Sequence, residues 1–311
     1  MSEFHHVSVL LEECIEALNI KPDGIYVDGT LGGAGHSSRI AAKLTTGRLI
    51  GIDRDPIALR AAGERLAPFA DRVTLVHSNF CEIASVLKEL DIPGVDGILL
   101  DLGVSSPQLD DGARGFSYMA DAPLDMRMNN EDVLTADTVV NTWSYEELKR
   151  ILYDYGEERY APQIASAICR RRETNPIRTT LELVDVIRSA MPAAALREKQ
   201  HPAKRSFQAI RIAVNDELGS VERVMADAVD CLNPEGRMAV ITFHSLEDRI
   251  VKNGMAAAAK GCTCPPGFPV CICGKKPRVK LISRKPIVST DEELERNPRA
   301  RSAKLRVCEK L

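Results

Sequence analysis

Residues 25–44 read IYVDGTLGGAGHSSRIAAKL, and this stretch decides the fold. A short apolar run ends at Asp28, a glycine-rich stretch occupies residues 29–36, and a helical segment follows at 37–44. Glycines allow a tight turn and a close approach of the backbone to a ligand, and a helix N-terminus presents unpaired N–H groups. The stretch therefore predicts a strand, a ligand-binding loop and a helix. A tight turn that binds nothing is the alternative.

The same alternation continues along the first third of the chain. Strand candidates alternate with helical segments at residues 48–53, 56–67, 73–76, 82–90 and 96–101. Alternating strands and helices are typical of βαβ units, in which a parallel sheet is covered by helices on both faces. We therefore predict an α/β fold with a doubly covered parallel sheet.

Three strand ends carry side chains suited to a nucleotide-like cofactor. Asp53 ends the second strand, at a position where a carboxylate can accept both ribose hydroxyls of an adenosine. Phe80 follows the third strand and Asp101 ends the fourth. Ligands of open α/β sheets bind beyond the carboxyl ends of the strands, so we expect these residues to line one crevice. Phe80 could lie against an adenine face, or it could be an ordinary core aromatic.

The domain organisation follows from where the alternation stops. It ends after Asp101, where the sequence becomes turn-rich and then mainly helical, and it resumes with an apolar run at 237–243. We predict one α/β domain in two parts, residues 1–107 and 206–311. An inserted, mainly helical domain at 108–205 interrupts it.

Composition limits the class of protein. The 311 residues are 44% hydrophobic and 27% charged, which is typical of globular domains and excludes a disordered or coiled-coil chain. Five of the nine cysteines are scattered, as in proteins of a reducing compartment. The N-terminus has acids where a signal peptide would be basic, and no apolar run is long enough for a membrane span. We expect a cytosolic protein with no membrane partner.

Basic residues are concentrated in two blocks. Residues 162–213 carry +6 and residues 275–311 carry +7, although the whole chain has a net charge of −3. Blocks of this kind suit a polyanionic partner, and solvated helix faces are the alternative. The candidate phosphate-binding residues are Arg170, Arg171, Arg172, Lys204, Arg205, Arg211, Lys275 and Lys276.

Four cysteines lie close together near the C-terminal end of the sequence, at Cys262, Cys264, Cys271 and Cys273. Four thiols within a short segment bracketed by Pro and Gly can supply a tetrahedral site for a structural zinc ion. The spacing is Cys-x-Cys rather than the commoner Cys-x-x-Cys, and a turn-rich loop with reduced thiols is the alternative.

Several longer motifs carry a resemblance to a known family. They are VDGTLGGAGH, GIDRDP, GILLDLGVSSPQLD, GFSY, PLDMRM, YGEERYA, FQAIRI, FHSLEDRIVK and NPRARSAKLR. Together they resemble the MraW (RsmH) family, S-adenosylmethionine-dependent methyltransferases that act on the N4 amine of one cytidine in bacterial 16S rRNA.

The resemblance implies a fold, a partner and a set of cofactor contacts. The implied fold is a Rossmann-like class I methyltransferase domain with an inserted helical domain for substrate recognition. The implied partner is 16S rRNA of the small ribosomal subunit, in its decoding region. The implied S-adenosylmethionine contacts are Ala34, Gly35, His36, Asp53, Phe80, Asp101 and Gln108.

The chemistry of such a reaction indicates candidate catalytic residues. The lone pair of a cytosine amine is delocalised into the ring, so acceptors on its N–H groups would make it a better nucleophile. The sequence lacks the (Asp/Asn/Ser)-Pro-Pro-aromatic tetrad of many amino-methyltransferases, and Asp101, Ser105 and Ser106 are the candidates in its place. Asp101 could equally serve the cofactor alone.

An extruded base also needs planar groups to hold it. The aromatic candidates are Phe116, Tyr118, Phe243 and His244, and ordinary packing is the alternative for each. His244 could also accept a proton after methyl transfer, or it could simply be hydrogen-bonded.

Three other functions share some of these features. A nicotinamide-dependent oxidoreductase would have the loop and the acid, but its G-x-G-x-x-G pattern needs a third glycine where residues 33–38 read GAGHSS. A methyltransferase acting on another nucleic-acid amine is the second alternative. A protein that binds the nucleotide only as a sensor is the third.

Overall fold

The computed structural model describes residues 8–262, 264 and 273–311. Its seven strands are β1 (Ile25–Asp28), β2 (Arg48–Asp53), β3 (Val73–His77), β4 (Val95–Asp101), β5 (Leu232–Thr242), β6 (Val279–Leu281) and β7 (Lys304–Lys310). Its helices are α1 (Leu11–Leu18), α2 (Gly35–Lys43), α3 (Pro56–Leu66), α4 (Ile83–Glu89), α5 (Ser106–Asp110), α6 (Ala136–Thr142), α7 (Tyr145–Asp154), α8 (Ala161–Thr174), α9 (Thr180–Ser189), α10 (Ala193–Leu196), α11 (Lys204–Asn215), α12 (Glu217–Cys231), α13 (Ser245–Ala259) and α14 (Asp291–Arg296). None of the helices in this part of the chain has both the length and the apolar character needed to cross a membrane.

The chain folds as two compact units. The first comprises Met1–Gly103 and Leu218–Leu311, and the second comprises Val104–Glu217. The expected boundaries after residues 107 and 205 differ from this division by a few residues at the first and by about one helix at the second. The second difference arises because α11 packs against α6 and α7 and so belongs to the inserted unit.

The first unit is built on one seven-stranded sheet with the order β3-β2-β1-β4-β5-β7-β6. Strands β1 to β5 are parallel, and β7 lies antiparallel between β5 and β6. The predicted α/β fold with a parallel sheet is confirmed. The strand order reverses between β1 and β4, and ligands of such sheets bind at the carboxyl ends next to this switch point.

Both faces of the central strands are buried, which explains why they appear in the sequence as continuous apolar runs. Val27 and Ile98 face one core, which α4, α12 and α13 cover. Tyr26 and Leu99, the alternate residues, face the other core, which α1, α2 and α3 cover. Neighbouring residues therefore anchor the sheet to opposite helical layers.

The second unit is helical around its own apolar core, which includes Val139, Leu148, Ile164 and Ile187. Its helix starts follow from local sequence. At Ser144 a capping box is complete, because the Ser144 side chain accepts the amide of Glu147 and the Glu147 carboxylate accepts the amide of Ser144.

Strand β5 differs from the sequence-based expectation. The apolar run at 237–243 predicts the strand, but the sequence Asn-Pro-Glu-Gly at 233–236 suggests a turn before it, whereas the strand extends from Leu232 to Thr242. Residues 233–236 form a bulge, because Val95 pairs with Leu232 while Gly97 pairs with Arg237. Glu235 adopts a left-handed conformation there, with φ at 63°.

Candidate active site

The loop between β1 and α2 has a backbone that few sequences can adopt. Gly32 and Ala34 both have positive φ, at 48° and 57°. Ala34 is the residue before the first turn of α2, and a non-glycine residue there stores roughly 1–2 kcal/mol of strain. At Gly35 any side chain would collide with the Ser8 hydroxyl. The glycines therefore hold the loop tightly against the sheet and the N-terminal segment.

Asp28 fixes this loop from the end of β1. Its Oδ2 accepts the Ser37 hydroxyl at 2.7 Å and its Oδ1 accepts the Thr30 amide at 3.1 Å. Burial raises the pKa of Asp28 to about 6, although these hydrogen bonds oppose the rise. Both oxygens of this carboxyl serve the fold.

Asp53 at the end of β2 reaches the same loop from the next strand. Its Oδ2 accepts the Gly32 amide at 2.7 Å and its Oδ1 accepts the Asp55 amide at 2.8 Å. Burial raises the pKa of Asp53 to about 6, and the nearby acids Asp55 and Asp28 add to the rise. The backbone N–H groups of Gly32 and Asp55 therefore fix the carboxyl of Asp53 in position.

Phe80 lies beside the first glycine of the loop. A Cβ built on Gly29 would come 3.0 Å from the Cβ of Phe80 and would collide with Leu100. Asn79 positions Phe80 by accepting the Cys81 amide at 3.2 Å, which starts a short 3-10 turn over Phe80–Glu82. The absence of a side chain at Gly29 thus brings the third strand end close to the loop.

Asp101 at the end of β4 has a different environment. Its amide donates to the Thr30 hydroxyl at 2.6 Å, but its carboxyl Oδ1 is buried and has no hydrogen-bond partner among the described residues. Its Oδ2 lies 3.9 Å from His36 Nδ1. Burial, followed by the charges of Asp28 and Glu247, raises the pKa of Asp101 to about 8. The carboxyl therefore holds its proton at neutral pH.

His36 occupies the first turn of α2 and is buried. Its Nε2 lies 3.0 Å from the carbonyl oxygen of Val9. A carbonyl can only accept, so Nε2 carries the proton of this bond and Nδ1 is the nitrogen that faces Asp101.

The start of α13 adds a buried acid that is not among the residues predicted from the sequence. Glu247 is fully buried, and its Oε2 accepts the amides of Phe243 and His244 at 2.9 and 3.3 Å. Its Oε1 lies 3.1 Å from His244 Nε2. The His-x-x-Glu spacing after a strand was the available signal, because it matches a helix cap and its third helical residue. His244 is thus hydrogen-bonded to the start of its own helix.

Of the remaining candidates, Phe243 packs against the core of the first unit, and the others belong to the second unit. Gln108 is buried and its Oε1 accepts the Ser105 amide at 3.1 Å, while Ser106 is the first residue of α5. Phe116 lies in the core of this unit. Tyr118 stacks on His201, with ring centroids 4.5 Å apart. Packing therefore accounts for the positions of both aromatic rings.

The predicted phosphate-binding residues fall into two groups. The first group is held within the second unit. Arg211 forms a two-point ion pair with Glu217, both N–O distances being 2.8 Å. Arg172 donates to the carbonyls of Val140 and Trp143. Arg171 and Arg205 each donate to one backbone carbonyl, of Asn175 and Glu157. The second group is exposed and consists of Arg170, Lys204, Lys275 and Lys276.

The sheet order, the glycine loop after β1 and the acids that end β2 and β4 have the arrangement of a Rossmann-like class I methyltransferase fold, which confirms the predicted fold class. The sequence over residues 3–311 matches the MraW methylase family, and the chain belongs to that family. Membership of a methylase family decides against the nicotinamide-dependent oxidoreductase.

Close relatives cover almost the whole chain. A protein of Brevibacillus brevis named Ribosomal RNA small subunit methyltransferase H is 61% identical over 309 residues, 99% of this chain and 98% of that protein. A protein of the same name from Heliobacterium modesticaldum is 59% identical over 310 residues, 99% of each chain. The crystal structure of an rRNA methylase from Streptococcus thermophilus has 10% identity and a TM-score of 0.41, covering 98% of this chain and 99% of that one.

S-adenosylmethionine is the cofactor of this class, and the first unit offers groups that fit it. The acid at the end of β2 suits a ribose, and the loop after β1 brings backbone groups close to the same crevice. The buried Oδ1 of Asp101, which has no partner in the described residues, is an atom of the kind that a bound ligand satisfies.

Proposed function

We propose that this chain transfers a methyl group from S-adenosylmethionine to the N4 amine of one cytidine in 16S rRNA, in the decoding region of the small ribosomal subunit. The rRNA part of the proposal is supported by the relatives at 61% and 59% identity, whose name describes a small-subunit rRNA methyltransferase. The choice of an amine as acceptor is supported by the chemistry of Asp101.

The observation that carries the proposal is the buried Oδ1 of Asp101. A buried oxygen without a partner costs about 1–3 kcal/mol, so a chain that keeps one has a use for it. An aromatic amine needs an acceptor on its N–H group as its nitrogen becomes positive, and a carboxylate is the strongest acceptor that a side chain offers.

The raised pKa of Asp101 is compatible with a role as an acceptor in the complex with a cationic cofactor. At neutral pH the carboxyl holds a proton, because its pKa is about 8. A positive charge near a carboxyl lowers its pKa. A cationic ligand beside Asp101 would therefore favour loss of the proton, and the resulting carboxylate would accept hydrogen bonds. The bound cofactor supplies an electrophilic methyl group on a positively charged sulfur.

The other residues of the first unit bind, orient and accept protons. Asp53 would hold the ribose, Ala34, Gly35 and His36 would line the cofactor, and Phe80 would bound the adenine side. His244, whose Nε2 faces the buried Glu247, would accept at Nδ1 the proton that the amine loses after methylation, in exchange for its long 3.5 Å bond from the Glu247 amide. Ser105, Ser106 and Gln108 belong to the inserted unit, and their part in catalysis and cofactor binding stays a prediction from the sequence.

The RNA-binding part of the proposal rests on the exposed basic group: Arg170, Lys204, Lys275 and Lys276. The cationic ends of Arg171, Arg172, Arg205 and Arg211 already have partners within the chain, so we expect a smaller contribution from them. Each phosphate contact adds close to one unit to the slope of log K against log salt. Replacing Lys275 and Lys276 with alanine should therefore reduce this slope by about 2, and an unchanged slope would contradict the assignment.

The experiment that tests the function is methyl transfer to small ribosomal subunits that lack the modification. Labelled S-adenosylmethionine is supplied, and the modified nucleoside is identified by nuclease digestion and mass spectrometry. N4-methylcytidine at one site of 16S rRNA is the expected product. Label on another nucleoside would contradict the assignment of a cytidine amine as the acceptor. Binding of S-adenosylhomocysteine without any methyl transfer would contradict the assignment of the small subunit as the substrate.

A further inference from the structure

Three thiols lie together in the first unit, between α13 and β6. The sulfur atoms of Cys262, Cys264 and Cys273 all lie within 4.8 Å of one another, and those of Cys262 and Cys273 are 3.6 Å apart. A disulfide would need about 2.05 Å. Two thiolates on a tetrahedral zinc ion with Zn–S bonds of about 2.3 Å lie roughly 3.8 Å apart. The observed separation fits shared metal ligands and not a disulfide bond.

The backbone around the thiols is also shaped for metal-bound sulfur. The Cys264 amide donates to Cys262 Sγ at 3.4 Å, and an N–H···S bond of this kind stabilises a thiolate. Gly274 directly follows Cys273 with φ at 63°, and a Cβ there would meet nothing within 4 Å. The dihedral angle, rather than lack of space, therefore favours glycine at this turn.

The fold holds both ends of the thiol segment. The Arg278 amide donates to the Ala258 carbonyl at 2.8 Å, and the Arg278 guanidinium pairs with Asp230. A Cβ on Gly261 would lie 3.1 Å from the Pro277 ring, so the backbone that enters the thiol segment lies close to the backbone that leaves it. The two outer thiols are thus kept near each other by protein contacts alone, which reduces the entropy that metal binding must overcome.

The thiols of the cluster differ in exposure from the buried cysteines of the first unit. Cys14 and Cys308 are buried, and burial raises the pKa of the Cys308 thiol to about 12, so it stays neutral. Cys262 is exposed and Cys264 and Cys273 are half-buried, so a metal ion can reach them. The sequence also places Lys260, Lys275 and Lys276 close by, and their positive charge offsets that of thiolates.

We propose that Cys262, Cys264 and Cys273 bind one zinc ion, which is structural and takes no part in methyl transfer. Zinc favours thiolate ligands and needs no redox chemistry, in agreement with an all-sulfur donor set that includes none of the proposed cofactor-binding or catalytic residues. The segment contains one more thiol, Cys271, which lies outside the described residues and on which the proposal does not depend.

The test is elemental analysis of the untagged full-length chain, purified with a phosphine reductant and without chelators. About one zinc ion per chain is expected, since structural thiolate sites retain zinc through purification. The double variant Cys262→Ser/Cys273→Ser should retain less than about a tenth of that amount. The matched control is Cys169→Ser, which removes a half-buried thiol outside the cluster and should keep the full zinc content.

A second measurement does not depend on the folding of a variant. Cobalt(II) added to the metal-stripped native chain should give the intense visible bands of tetrahedral coordination and a sulfur-to-metal charge-transfer band. Binding of S-adenosylhomocysteine by the double variant would show that it is folded. A native chain that contains no zinc and gives no cobalt bands would overturn the proposal, as would a double variant with undiminished zinc.

Discussion

The acids on the two sides of the sheet's carboxyl edge differ in how completely their carboxyl oxygens are hydrogen-bonded. On the β1–β2 side, Asp28 and Asp53 each accept two hydrogen bonds through their two oxygens, so the acids and the glycine loop form one closed network. On the β4–β5 side, Asp101 leaves one buried oxygen without a partner in the described structure. The pKa is raised to about 6 for the first two acids and to about 8 for the third.

This difference suits the two sides to different functions. A closed network fixes atoms before a ligand arrives, which reduces the entropy lost on binding. An unsatisfied group destabilises the empty protein, but it interacts strongly with whatever replaces water beside it. The β1–β2 side is therefore suited to holding a cofactor, and the β4–β5 side is suited to the reacting atoms.

The largest effect is expected from Asp101→Asn. The variant keeps the size of the side chain but cannot become a carboxylate, so methyl transfer at saturating cofactor should fall by about 100-fold or more. Binding of S-adenosylhomocysteine should change by less than about 10-fold. Single-turnover methyl transfer and calorimetric titration measure the two quantities. Full turnover with normal binding would remove Asp101 from the chemistry and erase the contrast between the two sides.

Asp53→Asn should show the opposite pattern. Loss of charge-assisted bonds to the ribose should weaken S-adenosylhomocysteine binding by about 10- to 100-fold, since each such bond contributes roughly 1.5–3 kcal/mol. The turnover number at saturating cofactor should stay within a few-fold of normal. Asp71→Asn, which changes an exposed acid on the surface, is the matched control for the charge lost. A variant whose turnover falls while its affinity is unchanged would reverse the assignment of the two sides.

His244→Ala should have a smaller effect. Removing the proton acceptor slows the step that follows methyl transfer, and water can replace it in part, so we expect a rate lower by about 10-fold. His244→Asn keeps an acceptor at the helix start and therefore tests capping separately from proton transfer. If both variants react at the normal rate, His244 only caps α13.

The smallest effect is expected on stability. Between pH 4 and pH 8 the folded chain without cofactor holds a proton on Asp101 that the unfolded chain has released, so this group's contribution to stability falls as pH rises to about 8. Asp101→Asn removes that penalty. Urea unfolding should show the variant to be more stable than the native chain by roughly 1–3 kcal/mol at pH 8, with a smaller difference at pH 5. A variant that is less stable than the native chain at pH 8 would mean that the Asp101 carboxyl has hydrogen-bond partners in the protein without cofactor.

The sequence could predict those features that depend on neighbours in the chain. The first four strands were predicted within one residue at each end, because their apolar runs end at turns or acids. The strand-end acids were predicted for the same reason. The bulge in β5 was missed, because Leu232 pairs with a residue of β4 that is distant in the chain.

Long-range partners also explain the incomplete prediction of the site. Glu247 acquires its influence on Asp101 only through the fold, and a helix-cap spacing alone does not reveal it. The partners that the basic residues find within the chain are hidden in the sequence for a similar reason. The sequence shows the charge of Arg172, but it does not show the carbonyls of Val140 and Trp143 that receive its guanidinium.

The position of the inserted unit has a consequence for how the molecule is made. The chain leaves the first unit at Gly103 and returns at Leu218, so β4 must wait for its neighbour β5 while more than a hundred residues are synthesised. At about 5–20 residues per second this delay lasts roughly 6–26 seconds, during which one edge of β4 has no strand to pair with. The inserted helices rely on local contacts and can fold within that time. We therefore expect the helical unit to fold first during synthesis, and the crevice that contains Asp101 to be among the last parts of the molecule to form.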